Sequence, residues 1–220
     1  MVNRPERLVL VVGTGTEVGK TWVACRLARA LRRRGLIVAA RKPAQSYDSG
    51  DDLSATDAAL LAHATGEHPA AVCPQHRWYP VAMAPPMAAE VLGRRPFTIA
   101  DLVDELAWPP AVGVGLVEAA GGVRSPLAAD GDALALARAL LPDRVVLVAD
   151  AGLGTINAVR LSLAALAGGP ARPVTLVLNR FDAADDLHVR NLEWLAGVDG
   201  VDAVTDADDL VGPIVGWPDP

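Results

Sequence analysis

Short apolar runs alternate along this chain with longer segments whose apolar positions recur every three or four residues. Five of the runs, near residues 7–13, 37–42, 113–118, 144–150 and 173–179, have the length and Val/Leu content of strands buried on both faces. The segments 20–34, 57–65, 98–106, 132–141, 155–167 and 185–196 carry helical periodicity, with Gly or Pro at many of the junctions. This order predicts an α/β fold with a parallel sheet covered on both sides. The stretch from Pro80 to Pro86 reads as a loop, and no repeat or linker divides residues 1–220, so a single domain is expected. In such sheets ligands gather beyond the carboxyl ends of the strands, so those ends hold the candidate chemistry.

The first strand end is the most specific. Leu8-Val9-Leu10-Val11-Val12 runs into Gly13-Thr14-Gly15-Thr16-Glu17-Val18-Gly19-Lys20-Thr21, and a helical pattern follows at once. Strand, glycine-rich loop and helix in that order make a phosphate cradle of backbone N–H groups, with Lys20 reaching the outer phosphates and the Thr21 hydroxyl on Mg2+. Gly13 and Gly19 are separated by five residues where the usual phosphate-loop pattern has four, and the four-spaced position holds Thr14.

Composition sharpens the reading at the second strand end. Of the 20 basic residues only Lys20 and Lys42 are lysine. A chain that uses arginine everywhere else and keeps lysine at these two places calls for a compact ammonium rather than a planar fork. Lys42 follows Leu36-Ile37-Val38-Ala39-Ala40-Arg41 and precedes Pro43, with Gln45 and Ser46 in the loop beyond. It is expected to share a crevice with Lys20, although a lysine at a strand end is also an ordinary surface group.

Carboxylates stand at three further positions. Glu118 ends the third apolar run, before Ala119-Ala120-Gly121-Gly122, and Asp150 ends the fourth. Either suits Mg2+, which prefers oxygen ligands, and either could be a strand-terminal cap. Asp57 precedes a helix, where capping and metal binding are both open.

The remaining composition excludes more than it adds. With 220 residues, 51% hydrophobic and 21% charged, the chain can bury a sizeable core. The N-terminus has no signal-peptide pattern and no apolar stretch is long enough to span a bilayer, so a cytoplasmic location without membrane association is expected. A net charge of −6 argues against a nucleic-acid surface, and the basic run Arg32-Arg33-Arg34 is read as complementing the end of the first helix. Cys25 and Cys73 are read as buried thiols, and His63, His68, His76 and His188 lack ligand spacing. The five tryptophans are assigned to packing.

Several blocks, in order, resemble the dethiobiotin synthetases, ATP-dependent carboxylases that close the ureido ring in biotin synthesis. They are Gly13 to Thr21, whose extra residue is a habit of that family; Lys42-Pro43-Ala44-Gln45-Ser46; Asp57 before its helix; and Tyr79-Pro80 through Ala88-Ala89-Glu90. Val117-Glu118-Ala119-Ala120-Gly121-Gly122, Leu153-Gly154-Thr155-Ile156-Asn157 and Asn179 complete the set. The resemblance implies a three-layer, parallel-sheet P-loop NTPase fold and carboxylation of 7,8-diaminononanoate with CO2 or bicarbonate, giving dethiobiotin, ADP and phosphate. It implies nucleotide contacts from Gly15, Glu17, Val18, Gly19, Lys20, Thr21 and Asn179, the last reading the base. Mg2+ falls to Thr21, Asp57 and Glu118, leaving Asp150 the weaker candidate. Thr16, Lys20 and Lys42 become the catalytic groups, Thr16 and Lys42 standing between γ-phosphate and carbamate, with Ser46 near the substrate. The family is homodimeric, which carries the substrate carboxylate onto Thr155, Ile156 and Asn157 of a second copy.

The chain departs from the family pattern at Tyr47 and Ala119, usually glycine, and at Ala82, often proline. Two other classes are weighed. One is a partitioning or membrane-associated ATPase switch of the deviant phosphate-loop group, which carries a signature lysine where this chain has Gly15. The other is a nucleotide-binding module without ligase activity. The dipeptide Asn179-Arg180, with Asp182 beyond, is similar to a guanine-reading motif and is treated as coincidence.

Overall fold

A computed structural model describes residues 4–170 and 172–216 of the chain. Its strands are β1 (Arg7–Gly13), β2 (Val38–Arg41), β3 (Gln45–Ser46), β4 (Trp78–Tyr79), β5 (Val114–Gly122), β6 (Pro126–Ala128), β7 (Gly131–Asp132), β8 (Arg144–Asp150), β9 (Val174–Asn179) and β10 (Ala203–Val204). Its helices are α1 (Lys20–Arg33), α2 (Asp57–Thr65), α3 (Pro69–Val72), α4 (Pro85–Val91), α5 (Ile99–Asp104), α6 (Ala133–Leu140), α7 (Thr155–Ala167), α8 (Asp186–Gly197) and α9 (Val211–Val215).

Six strands form a parallel sheet in the order β10-β9-β8-β1-β5-β2. The period-two alternation of β1 explains why helices cover both faces. Leu8, Leu10 and Val12 point into one apolar cluster with Val117, Leu147 and Leu178, whereas Val9 and Val11 point into the other with Val23, Leu27 and Leu116. From β1 the chain crosses to one side to build β2 and β5, then to the other for β8, β9 and β10. The carboxyl end of β1 therefore lies at the topological switch point, where such sheets open a crevice.

The five expected strands and the six expected helices are all present, with three informative differences. Pro85 starts a helix inside the segment read as a loop, because proline is tolerated in the first turn, where its missing N–H has no acceptor in any case. β5 runs past Glu118 to Gly122, so the small residues Ala119 to Gly122, expected to form a loop, continue the strand across a break in its register against β1 between Val11 and Gly13. β10 has only two residues and offers no periodic signal.

Smaller expectations divide. Cys25 and Cys73 are buried free thiols. Arg32 donates to Ala64 O at the end of α2, and Arg33 pairs with Asp208, so this part of the run holds neighbouring elements as well as closing its own helix. The assignment of every tryptophan to packing does not hold: Trp22 and Trp194 are about half exposed, and Trp217 lies outside the described residues. No helix among the described residues is long and apolar enough to cross a membrane.

Candidate active site

The loop after β1 has a backbone that only certain residues can follow. Gly19 has φ +92°, and a Cβ there would lie 2.0 Å from Asn179 Nδ2, so no other residue fits between the loop and the end of β9. Asn179 Nδ2 donates to Val18 O at 2.9 Å and braces the loop from behind. Glu17 also has positive φ, at 60°, and its carbonyl accepts from Arg180. Gly122 closes the loop from β5, where a Cβ would come 3.2 Å from Thr14 O.

Lys20 opens α1 from this loop. Its buried Nζ donates to Gly15 O at 2.9 Å. Burial, and then the charge of Lys42, pull its pKa down to about 8, with Glu118 and Asp57 pulling the other way.

Lys42 stands just beyond β2, held by its backbone N–H on Val72 O. Its ammonium lies 2.7 Å from both Asp57 Oδ2 and Glu118 Oε1. Burial acts to lower its pKa, but the two carboxylates outweigh that and hold it above the ordinary lysine value. Asp57 is depressed, its desolvation being overcome chiefly by Lys42. Glu118 is raised because burial outweighs the same ammonium. Thr21 Oγ1 lies 2.7 Å from Asp57 Oδ1 and 2.8 Å from Glu118 Oε1, so its single proton can serve either carboxylate. Glu118 Oε2 is buried with no hydrogen-bond partner.

These groups line one cleft of about 830 Å3, which also takes in Thr16, Ser46, Tyr47 and Arg180. Two ammonium groups, two carboxylates and a loop of free backbone donors can bind a polyphosphate and a cation and offset negative charge brought between them. Among the described residues no three His, Cys, Asp or Glu side chains cluster as a metal site. The oxygen set of Thr21, Asp57 and Glu118 nevertheless suits Mg2+, which takes few protein ligands and retains water and phosphate oxygens.

The structure thus brings together Thr16, Lys20, Thr21, Lys42, Ser46, Asp57 and Glu118. Asp150 lies apart, its carboxylate accepting from Gly152 N and pairing with Arg180 at 2.7 Å. Thr155, Ile156 and Asn157 start α7 away from this cleft, beside Leu153, which is 91% exposed. Of the departures from the family pattern, Tyr47 and Ala82 line the cleft, while Ala119 belongs to the core cluster of Val12 and Tyr79.

Arg180 was passed over as part of a coincidental motif. It lines the cleft and donates to both Asp150 and Glu17 O at a φ of +58°, and its place directly after Asn179 at a strand end was the available signal.

Comparison with known proteins bears on the fold and the family. A family model described as an AAA domain matches residues 7–212. Among solved structures, chloroplast FtsY from Physcomitrella patens superimposes with TM-score 0.52 at 17% identity, covering 94% of this chain and 61% of that one. The signal recognition particle receptor FtsY from Elizabethkingia anophelis gives 0.51 at 15%, covering 96% and 66%. This chain spans less than two thirds of either, and at such identity they share its fold alone. An ATP-dependent dethiobiotin synthetase BioD from Caulobacter sp. (strain K31) is 38% identical over 181 residues, 81% of this chain and 78% of that protein. The proteins of that name from Anaeromyxobacter dehalogenans (strain 2CP-C) and Rhodococcus jostii (strain RHA1) are 40% and 38% identical, over 82% and 90% of this chain and 79% and 84% of theirs. By identity sustained over most of its length, the chain belongs to the ATP-dependent dethiobiotin synthetase family.

Proposed function

We propose that this protein is an ATP-dependent dethiobiotin synthetase that carboxylates 7,8-diaminononanoate and closes the ureido ring, acting in the cytoplasm. The observation that carries the reading is the meeting of Lys20, Lys42, Asp57 and Glu118 beside a phosphate loop in one cleft.

CO2 adds to one amine as a carbamate. A carbamate oxygen attacks the γ-phosphorus, the bond to the bridging oxygen breaks, and ADP leaves. The second amine then attacks the carbonyl of the mixed anhydride, releasing phosphate and closing the ring. Bringing a carbamate to a triphosphate crowds anions, so the first need is cationic charge held in line with the attack. Lys20 binds the outer phosphates, while Thr16 and Lys42 stand between γ-phosphate and carbamate, with Ser46 on the amine side.

Gly15, Glu17, Val18, Gly19 and Thr21 complete the nucleotide cradle. Asn179 donates one Nδ2 hydrogen to Val18 O, which leaves its second N–H and its amide oxygen for base recognition. The partnerless Glu118 Oε2 and the Thr21 hydroxyl shared with Asp57 favour Mg2+ on those three residues, where it would supply divalent charge against the triphosphate.

The substrate carboxylate is assigned to the start of α7, at Thr155, Ile156 and Asn157, in a second copy of the chain. Support comes from Thr155 Oγ1, buried without a hydrogen-bond partner, next to the exposed Leu153. Product analysis with 7,8-diaminononanoate, bicarbonate, Mg2+ and ATP tests the function: dethiobiotin and phosphate must appear together. A folded, nucleotide-binding protein that yields neither is not this enzyme.

A further inference from the structure

Gln45 has no role in the machinery described so far, yet it is 2% exposed and lines both the main cleft and a side cavity of about 350 Å3 behind Ser46 and Asp57. Its amide is used on one side only. Oε1 accepts from Ala58 N at 2.9 Å in the first turn of α2, where the N-cap residue Thr56 makes no side-chain cap and its hydroxyl donates to Leu53 O. That bond requires an oxygen facing Ala58, so it fixes which way the amide points. Nε2 is then the other end, and it is buried with no hydrogen-bond partner.

An unpartnered buried amide donor costs stability, and its persistence at the wall of a binding cleft points to an oxygen acceptor that arrives with a ligand. The neighbouring Ser46 Oγ is likewise buried and partnerless, so two adjacent polar groups are available to the same ligand. A donor beside Ser46, in a cleft shared with Lys42, fits an anionic carboxyl-type oxygen better than an ammonium, which Nε2 would repel. Building on the function proposed above, we propose that Gln45 Nε2 donates to a carbamate oxygen of the carboxylated diamine, while Oε1 holds the helix end that presents Asp57. Gln45 is then a substrate-binding residue on one side of its amide and a positioning residue on the other.

Two variants separate these roles. Gln45→Glu keeps an acceptor for Ala58 N but replaces the donor with an anion; Gln45→Met keeps the bulk and loses both. Steady-state kinetics with 7,8-diaminononanoate, bicarbonate, Mg2+ and ATP are measured beside the nucleotide Kd and the melting temperature. Loss of a hydrogen bond to a charged group predicts a fall in kcat/KM for bicarbonate of roughly 10- to 100-fold for Gln45→Met and more for Gln45→Glu. The nucleotide Kd should stay within about threefold in both, and both should melt lower, Gln45→Met by the order expected for a lost cap and Gln45→Glu through its buried carboxylate. Wild-type kinetics in either variant overturns the inference, as does a loss of activity matched by an equal loss of nucleotide affinity. Wild-type protein that makes no dethiobiotin removes the functional reading itself and this inference with it, an outcome recognisable before any variant is compared.

Discussion

Lys42 Nζ lies 2.7 Å from Glu118 Oε1, with neither side chain more than 2% exposed, so the cleft floor is a buried ion pair that joins the end of β2 to β5. Removing one member of such a pair leaves the other charged or forces it to neutralise, and both are costly. Lys42→Met should lower stability by about 3–5 kcal/mol in urea denaturation, because Asp57 and Glu118 are left facing each other. Added Mg2+ should recover part of that loss, and turnover should vanish with nucleotide still bound. Unchanged stability would show that the ammonium does not hold the two carboxylates.

Glu118→Gln tests the other member. It retains the shape but removes the anion and replaces one oxygen by an amide nitrogen. The Mg2+ concentration for half-maximal rate should rise by an order of magnitude or more, as for loss of a charged ligand. A titration superimposable on that of the wild type would take Glu118 out of the metal set.

Lys20 gives the pH dependence. With its pKa pulled down to about 8, the ligand-free lysine loses its proton above that pH, whereas bound phosphate demands the charged form. Apparent nucleotide affinity should therefore fall roughly tenfold between pH 7 and pH 9, with close to one proton taken up per nucleotide at the higher value. The sign is that of a depressed lysine: binding is strongest below the folded-state pKa and weakens above it. Calorimetry in buffers of different ionisation enthalpy measures both effects, and flat affinity with no proton uptake contradicts this account of the lysine.

Two glycines of the loop should differ sharply. At Gly19 an added methyl meets Asn179 Nδ2 at 2.0 Å and φ is +92°, so Gly19→Ala should cost about 1–3 kcal/mol and break the brace to Val18. At Gly15 the nearest contact would be Val18 Cγ1 at 3.9 Å, so Gly15→Ala should alter stability by less than about 1 kcal/mol. Equal melting temperatures for the two variants would refute the close-packing argument.

What the sequence disclosed follows from which interactions are local. β1, the glycine loop and α1 are contiguous, so Lys20 and Thr21 were legible from an apolar strand running into a glycine-rich loop and a helix, although the glycine spacing departs from the usual pattern by one residue. The convergence of Lys42, Asp57 and Glu118 depends on β5 inserting between β1 and β2, a pairing across 76 residues for Lys42 and Glu118. That position was suggested by strand ends and by the scarcity of lysine, and the resemblance to a family chose Glu118 over Asp150. In the structure Glu118 lies with Lys42, Asp57 and Thr21, whereas Asp150 is turned to Arg180 and Gly152. The position of Arg180 at a strand end was legible, but its partners, like the unused half of the Gln45 amide, are set by tertiary packing and were not.

The most direct test of the central claim follows one carbon. Protein supplied with 7,8-diaminononanoate, [13C]bicarbonate, Mg2+ and ATP should place the label in the ureido carbonyl of dethiobiotin, with one ADP and one phosphate formed for each ring closed. ATP hydrolysis without labelled dethiobiotin, by protein that binds both nucleotide and diamine, would contradict it.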